Sequence, residues 1–335
     1  MNTDIDGIRF QREGYLLVRG VFSQHEIEQL RSAVTEAAHD AKRKGTVLKS
    51  HTGEIASVAD VASMAGLDHL LFDTRIVSFA RTLLGTDQPV YFGDSGIMVG
   101  GALRGFHKDN TCRDDGRHID WLSPYGLLRM GIYLQDHKNF SGGLKIRVGS
   151  HQYPDVTTGR ILAVPSEPGD VVIWNMRTTH SGHAARLRGL PTLGVQPRFE
   201  FRLPPVMLLP EPCERLAVFL TYARRGVHLD AYLDKHRKLD EYPNNYLYQS
   251  WLHSPGGPSM HQRAKAAGVE FIEPVPDYGS LFTNPPAYPL GYVPTGSSRP
   301  DVYPAKGLER VINVIGRATR SIPALGRWAD RRREH

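Results

Sequence analysis

The residues most able to do chemistry are found among the fifteen histidines of this chain. In an extended strand, residues two apart point to the same side, so a His-x-Asp pair can grip one ion. Three such pairs occur, His107-Lys108-Asp109, His118-Ile119-Asp120 and His228-Leu229-Asp230. So short a motif recurs by chance, and at least two of the three are coincidental. Only the first directly follows a convincing strand and glycine turn, Tyr91 to Gly105. The second sits in a highly charged loop, and the third opens a predicted helix. A distal ligand is offered by Gly169-Asp170-Val171-Val172-Ile173-Trp174-Asn175-Met176-Arg177-Thr178-Thr179-His180. There a Gly-Asp turn leads into an apolar strand, and His180 stands beyond its far end. Two histidines and one carboxylate on one face of Fe(II) leave three coordination positions open for substrate and oxygen.

The elements that must hold these residues read as a turn-rich β protein. Gly14 to Val18 is β-prone and ends at Gly20; Ser23 and Glu26 then form a capping box for a helix with Ile27, Leu30 and Val34 at core spacing. A second helix is expected over Leu70 to Leu84, closed by Gly85. From Pro89 onward, short apolar runs alternate with Gly, Asp and Asn. Val90–Phe92, Ile97–Val99, Leu127–Leu134, Leu144–Val148, Val171–Trp174 and Arg215–Tyr222 all read as strands. Strands at this density, without intervening helices, indicate a sandwich or barrel and not βαβ units. Ser181 to Glu214 is rich in Pro and Leu and reads as a long inserted loop. After Gly226 a helix is expected over Leu229 to Leu239. Pro274 to Pro304 looks irregular, and Leu308, Val311, Ile312 and Ile315 mark an amphipathic helix with basic neighbours.

Composition narrows the class. In a 335-residue chain, 40% hydrophobic and 23% charged residues exclude wholesale disorder, and 33 Gly with 23 Pro favour turns. Cys112 and Cys213 cannot make a disulfide framework or a thiolate-only zinc site. The opening MNTDIDGIRF has no signal-peptide pattern, and no apolar run reaches the length of a membrane span. The expectation is a cytoplasmic protein. The formal charge of +6 would suit a nucleic-acid partner, but no recognition motif accompanies it, and eight Lys/Arg are concentrated between Lys306 and Arg333. That C-terminal helix suits packing, an oligomer contact or the surface of an anionic membrane.

The order of these pieces resembles the phytanoyl-CoA dioxygenase family of Fe(II)/2-oxoglutarate oxygenases over about Gly14 to Tyr222. The opening Gly-Tyr-Leu-Leu-Val-Arg-Gly-Val-Phe-Ser and the helix after it look like the family's N-terminus. Gly142-Gly143-Leu144 through Val148-Gly149-Ser150-His151 looks like its Gly-x-Leu…Gly-Ser-His signature. The resemblance implies that His107, Asp109 and His180 hold iron, with 2-oxoglutarate and O2 as co-substrates. It also implies an arginine whose guanidinium pairs bidentately with the remote carboxylate of 2-oxoglutarate. That arginine normally follows the distal histidine within about a dozen residues. Here Arg215 opens the last strand and is the first choice; Arg186 is the second, and Arg188 lies near it. His183 breaks the Gly-Asp-to-His spacing. An intact Asp109 points to hydroxylation or another C–H oxidation, such as desaturation or ring closure, since the family's halogenating members carry a small residue there.

The expected fold is mainly β with flanking helices, a double-stranded β-helix (jelly roll, cupin-like). One domain is expected over residues 1–226, with the inserted loop at 181–214, and an extension over 227–335 packed on it as lid, pocket or oligomer contact. His151 is expected to orient backbone, Cys112 to be an ordinary thiol, and the charged cluster Arg113 to His118 to be a solvated loop. A saccharide or natural-product substrate would prefer walls such as Trp121, Tyr125 and Trp251. Two other classes stay open. One is a non-redox divalent-metal enzyme of the cupin type, and the other a non-catalytic binding protein with a vestigial site.

Overall fold

A computed structural model describes residues 5–44, 47–49, 55–57, 60–100, 105–113, 115–122, 124–200, 202–212, 214–237 and 258–272. The N-terminal helices are α1 (Gly7–Glu13), α2 (Gln24–Lys44) and α3 (Thr74–Leu84). The first strands are β1 (Tyr15–Val18), β2 (Val47–Lys49), β3 (Ile55–Ser57), β4 (Val90–Tyr91) and β5 (Gly96–Val99). The barrel continues with β6 (Leu127–Tyr133), β7 (Gly143–Val148), β8 (Arg160–Ala163), β9 (Val171–Asn175) and β10 (His180–Ala184). Then come β11 (Arg186–Leu187), β12 (Leu190–Gly194), helix α4 (Pro197–Glu200) and β13 (Leu216–Ala223). Helices α5 (Val227–Arg237) and α6 (Pro258–Ala266) and strand β14 (Glu270–Phe271) complete the described elements.

The larger sheet runs β1-β9-β6-β13-β5-β3-β2, with β4 on β13 and β14 on β4; the smaller runs β10-β7-β8-β12-β11. These two facing sheets form the double-stranded β-helix. Alternation along the large-sheet strands explains their nearly continuous apolar sequence, because both faces are buried. Leu128, Met130, Ile132, Val171, Ile173, Leu216, Val218, Leu220 and Tyr222 face a core shared with Ile27, Leu30 and Val34 of α2 and Ile76, Val77 and Phe79 of α3. Tyr133, Val172, Trp174 and Ala217 face inward, against Leu144 and Ile146 of the small sheet. Fully burying each large aliphatic or aromatic side chain contributes about 1.5–3 kcal/mol, so the outer core clamps the helices to the barrel.

The capping box forms as expected. Ser23 N–H donates to Glu26 Oε2 at 2.7 Å, and Glu26 N–H donates to Ser23 Oγ at 3.3 Å. The second helix starts later than its apolar pattern suggests. Asp73 accepts from Arg75 N–H and caps α3, while residues 68–72 make a 3-10 turn.

The reading of 181–214 as one inserted loop is corrected. His180 to Ala184 pairs antiparallel with β7, and residues 186–194 form a hairpin whose β12 pairs β8. His-Ser-Gly-His-Ala has little intrinsic strand preference; pairing to an open sheet edge makes it a strand. β8 was not legible for the same reason. Of the expected C-terminal extension, α5 lies close to the loop around Ile119–Trp121, and β14 pairs parallel with β4. The segment Pro274–Pro304, the expected helix at Leu308 to Ile315 and Trp251 lie outside the described residues. Among the described residues no helix is long and apolar enough to cross a membrane.

Candidate active site

The first His-x-Asp pair and the distal histidine meet at one end of the barrel. His107 and His180 form a two-hydrogen-bond antiparallel bridge, each N–H donating to the other's carbonyl at 2.9 Å. Asp109 N–H donates to Met176 O at 2.9 Å, two residues past the in-register partner, so the two segments stay joined beyond the bridge without a regular ladder. His107 and Asp109 therefore project to one side, facing His180. One donor atom from each of the three lies within 4.8 Å of the others. His107 Nε2 is 3.7 Å from Asp109 Oδ1, and His180 Nε2 is 3.4 Å from Asp109 Oδ2.

The donor set fits a divalent cation. His107 Nδ1 lies 3.1 Å from Gly105 O and His180 Nδ1 lies 3.0 Å from Thr178 O. A carbonyl oxygen can only accept, so each Nδ1 carries the proton and each Nε2 presents its lone pair to the shared point. Burial, helped by the neighbouring His180, pushes His107 down to about 3; burial also lowers His180. Both rings are thus neutral at physiological pH, as metal ligation requires. Burial acts to raise Asp109, but the positive surroundings, Arg129 first among them, outweigh it and hold the carboxyl well below the usual range. Asp109 Oδ2 is buried and accepts no hydrogen bond, its contact with Arg129 Nη1 at 3.1 Å being an ion pair only. A buried oxygen in this state suits coordination of a cation.

Lys108 points away from the three clustered donors, as the residue between two same-side neighbours must. Its Nζ donates to the carbonyls of Ser150 at 2.8 Å and Arg177 at 2.6 Å. The ligand segment is thereby tied to the Gly-Ser-His turn and to the approach to His180. Burial pushes the Lys108 ammonium down to about 7.

Below the triad, the barrel is lined by Trp174, Tyr133, Phe219, Leu144 and Ile146. The Trp174 ring centroid is 5.4 Å from that of His180. Tyr133 Oη and Trp174 Nε1 are buried without hydrogen-bond partners. Arg215 closes this lining. Its Nε donates to Gly142 O at 2.8 Å and its Nη2 to Gly182 O at 2.9 Å, and its guanidinium lies 6.0 Å from the Tyr133 ring centroid. Gly182 stands two residues from His180 on β10, about 7 Å at strand rise. Arg186 is placed differently. It is fully buried, its Nη1 reaches Ala163 O at 3.4 Å and Val164 O at 3.2 Å, and burial lowers it to about 10.

The other sequence candidates go elsewhere. His118 Nδ1 accepts from Asp120 N–H at 3.1 Å, while buried Asp120 accepts from Asn110 and Cys112. His228 opens α5, its Nε2 lying 3.2 Å from Leu122 O. His151 lies 2.9 Å from Gln11 O, holding the N-terminal helix to the turn. His183 pairs with Glu211 at 2.8 Å, and with Glu200, which also binds Lys145 at 2.5 Å. Trp121 and Tyr125 do not form an open wall: both rings pack on the Arg177 guanidinium, at 5.5 and 4.7 Å. Sequence reasoning missed Arg129 and Asp94. The signal for Arg129 was present, as a lone charge inside the apolar strand Leu127–Leu134. Asp94, in a glycine-bounded turn, carried none.

The fold and the donor set define a class, the Fe(II)/2-oxoglutarate-dependent oxygenases. A family profile described as phytanoyl-CoA dioxygenase (PhyH) matches residues 10–186, more than half of the chain, and the chain belongs to that family. The family uses Fe(II), 2-oxoglutarate and O2. The chain is 24% identical over 212 residues to dioxygenase aneA of Aspergillus aculeatus, covering 56% of this chain and 70% of that protein. It is 26% identical over 147 residues to an ectoine dioxygenase of Nocardia farcinica, covering 43% of this chain and 49% of that protein. It thus spans about half the length of the ectoine dioxygenases that it matches. Among solved structures, EctD from S. alaskensis with 2-oxoglutarate and 5-hydroxyectoine superposes with a TM-score of 0.46 and 20% identity, over 65% of this chain and 74% of that one.

Proposed function

We propose that this protein oxidises a C–H bond of a small organic molecule with Fe(II), 2-oxoglutarate and O2. His107, Asp109 and His180 hold the metal, and Arg215 holds the co-substrate. The reading rests chiefly on the convergence of those three donors within 4.8 Å around a carboxylate oxygen without a hydrogen bond. When bound, the metal and 2-oxoglutarate supply the oxidising power, one atom of O2 going into succinate and CO2 leaving.

The chain's own residues bind, orient and exclude water. Neutral His107 and His180 and anionic Asp109 offer one net negative charge to the cation, leaving a face open. The Arg215 guanidinium is held by the carbonyls of Gly142, Gly182 and, at a longer 3.5 Å, Gly100, which pre-organises its fork for a carboxylate. The distance along β10 from His180 to Gly182 suits an extended five-carbon dicarboxylate. Tyr133 Oη and Trp174 Nε1 add donors to an otherwise apolar lining that keeps water from the reacting centre. Arg186, facing the end of β8, supports the small sheet.

The test is an anaerobic titration with Fe(II) and then 2-oxoglutarate, following the weak visible charge-transfer band of the chelate. The band is expected in the wild-type protein and absent in Asp109→Ala. Bound iron with no band would favour the non-redox metal enzyme, and no bound iron would leave a binding protein.

A further inference from the structure

Arg129 is shared between two carboxylates. Its Nη1 stands 3.1 Å from Asp109 Oδ2, its Nη2 pairs with Asp94 Oδ2, and its Nε donates to Thr221 Oγ1 at 3.2 Å. Asp94 is almost fully buried, and the same Oδ2 accepts from Tyr232 Oη at 2.8 Å. The Thr221 hydroxyl donates to the Asp94 carbonyl, so backbone, carboxylate and guanidinium are fixed together. Tyr232 is buried on α5, its ring packed edge-on against Phe92 at 5.5 Å. The same helix reaches the metal loop a second time, through Lys235 Nζ to Thr111 O. Tyr232 and Thr221 both lie beyond the family match, which ends at residue 186.

We propose that Tyr232, Asp94 and Arg129 are positioning residues through which helix α5 sets the orientation and availability of the Asp109 carboxylate. This rests on the reading of Asp109 as a metal ligand. The physical case is a competition. A guanidinium left alone beside one carboxylate closes on it as a bidentate pair and occupies the lone pairs that a cation needs. Here Asp94 takes the second Nη, and Thr221 takes Nε. Asp109 keeps one guanidinium contact, from Nη1, which orients it without capturing it. Tyr232 holds Asp94 in the position that makes this division. Outer partners of metal-bound carboxylates commonly change affinity about 10–100-fold when replaced.

The experiment uses the full-length protein and Co(II) alone, without co-substrate, reading the dissociation constant and the visible d–d spectrum. Asp94→Asn weakens its hold on Arg129, and Co(II) affinity is expected to fall about 10–100-fold with an altered spectrum. Tyr232→Phe removes one hydroxyl and is expected to weaken Co(II) about threefold to tenfold, the scale of one hydrogen bond. Tyr222→Phe is the comparison, since it deletes a buried hydroxyl that donates to Leu71 O at 2.7 Å, away from Asp109. It should lower the thermal midpoint and leave the Co(II) constant and spectrum unchanged. If Asp94→Asn and Tyr232→Phe bind Co(II) within twofold of wild type with the same spectrum, the proposal is overturned, whatever their thermal midpoints. A wild-type protein that binds no Co(II) would instead overturn the metal-site reading on which it rests.

Discussion

Replacing Arg215 by lysine tests the co-substrate reading most sharply, because it keeps the charge and removes the fork. The guanidinium spends Nε on Gly142 O at 2.8 Å and one Nη2 proton on Gly182 O at 2.9 Å. Nη1 lies farther from its partner, Gly100 O at 3.5 Å, and a carboxylate arriving at the Nη1/Nη2 end would make two parallel charge-assisted bonds in place of that long contact. Each such bond is worth about 1.5–3 kcal/mol, and a lysine ammonium can keep about one of them. The expected loss is therefore one bond, about 10–100-fold in the 2-oxoglutarate dissociation constant. Two carbonyls would also lose their donor, so the thermal midpoint should fall. The assay is the anaerobic charge-transfer titration of Fe(II)-loaded protein, run in parallel on Arg186→Lys. Arg186 faces the carbonyls of Ala163 and Val164, and its replacement should leave the constant within about twofold of wild type. A tenfold loss in Arg186→Lys with none in Arg215→Lys would move the role to Arg186. An unchanged constant in both would refute the idea of an arginine clamp on this strand.

Other perturbations probe the scaffold. Gly14 has φ 77°, and a Cβ there would lie 2.3 Å from His151 Nδ1, so Gly14→Ala should cost at least about 1–3 kcal/mol in urea unfolding. Glu200 and Lys145 are a fully buried pair at 2.5 Å. Glu200→Gln should destabilise by about 3–5 kcal/mol, while Lys145→Met with Glu200→Leu should recover most of the loss; an equal loss in the double variant would count against this. Burial pushes His137 down to about 3 and His151 down to about 4. Each is neutral when folded and protonated when unfolded between its lowered value and about 6.5. The unfolded state then binds more protons, so metal-free stability is full above about pH 6.5 and declines as pH falls toward 4. Urea midpoints across that range should follow this decline, and His137→Gln should make it shallower.

Much of the site was legible because its logic is local. Alternation along a strand puts His107 and Asp109 on one side whatever surrounds them, and a glycine turn before an apolar run ends at His180. The other two His-x-Asp pairs differ by context, one in a charged loop and one opening a helix, and neither joins the cluster of His107, Asp109 and His180. What could not be read was every feature that depends on pairing between distant segments. β10 and the β11–β12 hairpin are strands because β7 and β8 offer them edges. Trp121 and Tyr125, which as aromatic residues suggested a sugar-binding wall, are taken up by Arg177.

The types and order of the candidate ligands and the β-rich architecture were readable from the chain alone, since these follow from side-chain chemistry and from periods of two and 3.6 residues. Where each arginine stands depends on how the barrel closes. Arg129, Arg186 and Arg215 are all guanidiniums on or beside strands, and nothing in their local sequence distinguishes a partner of Asp109 from a support for β8 or a clamp near Gly182. Their surroundings are set by which carbonyls and carboxylates the closed barrel brings within about 3 Å, because hydrogen bonds weaken steeply once distance and angle depart from that geometry.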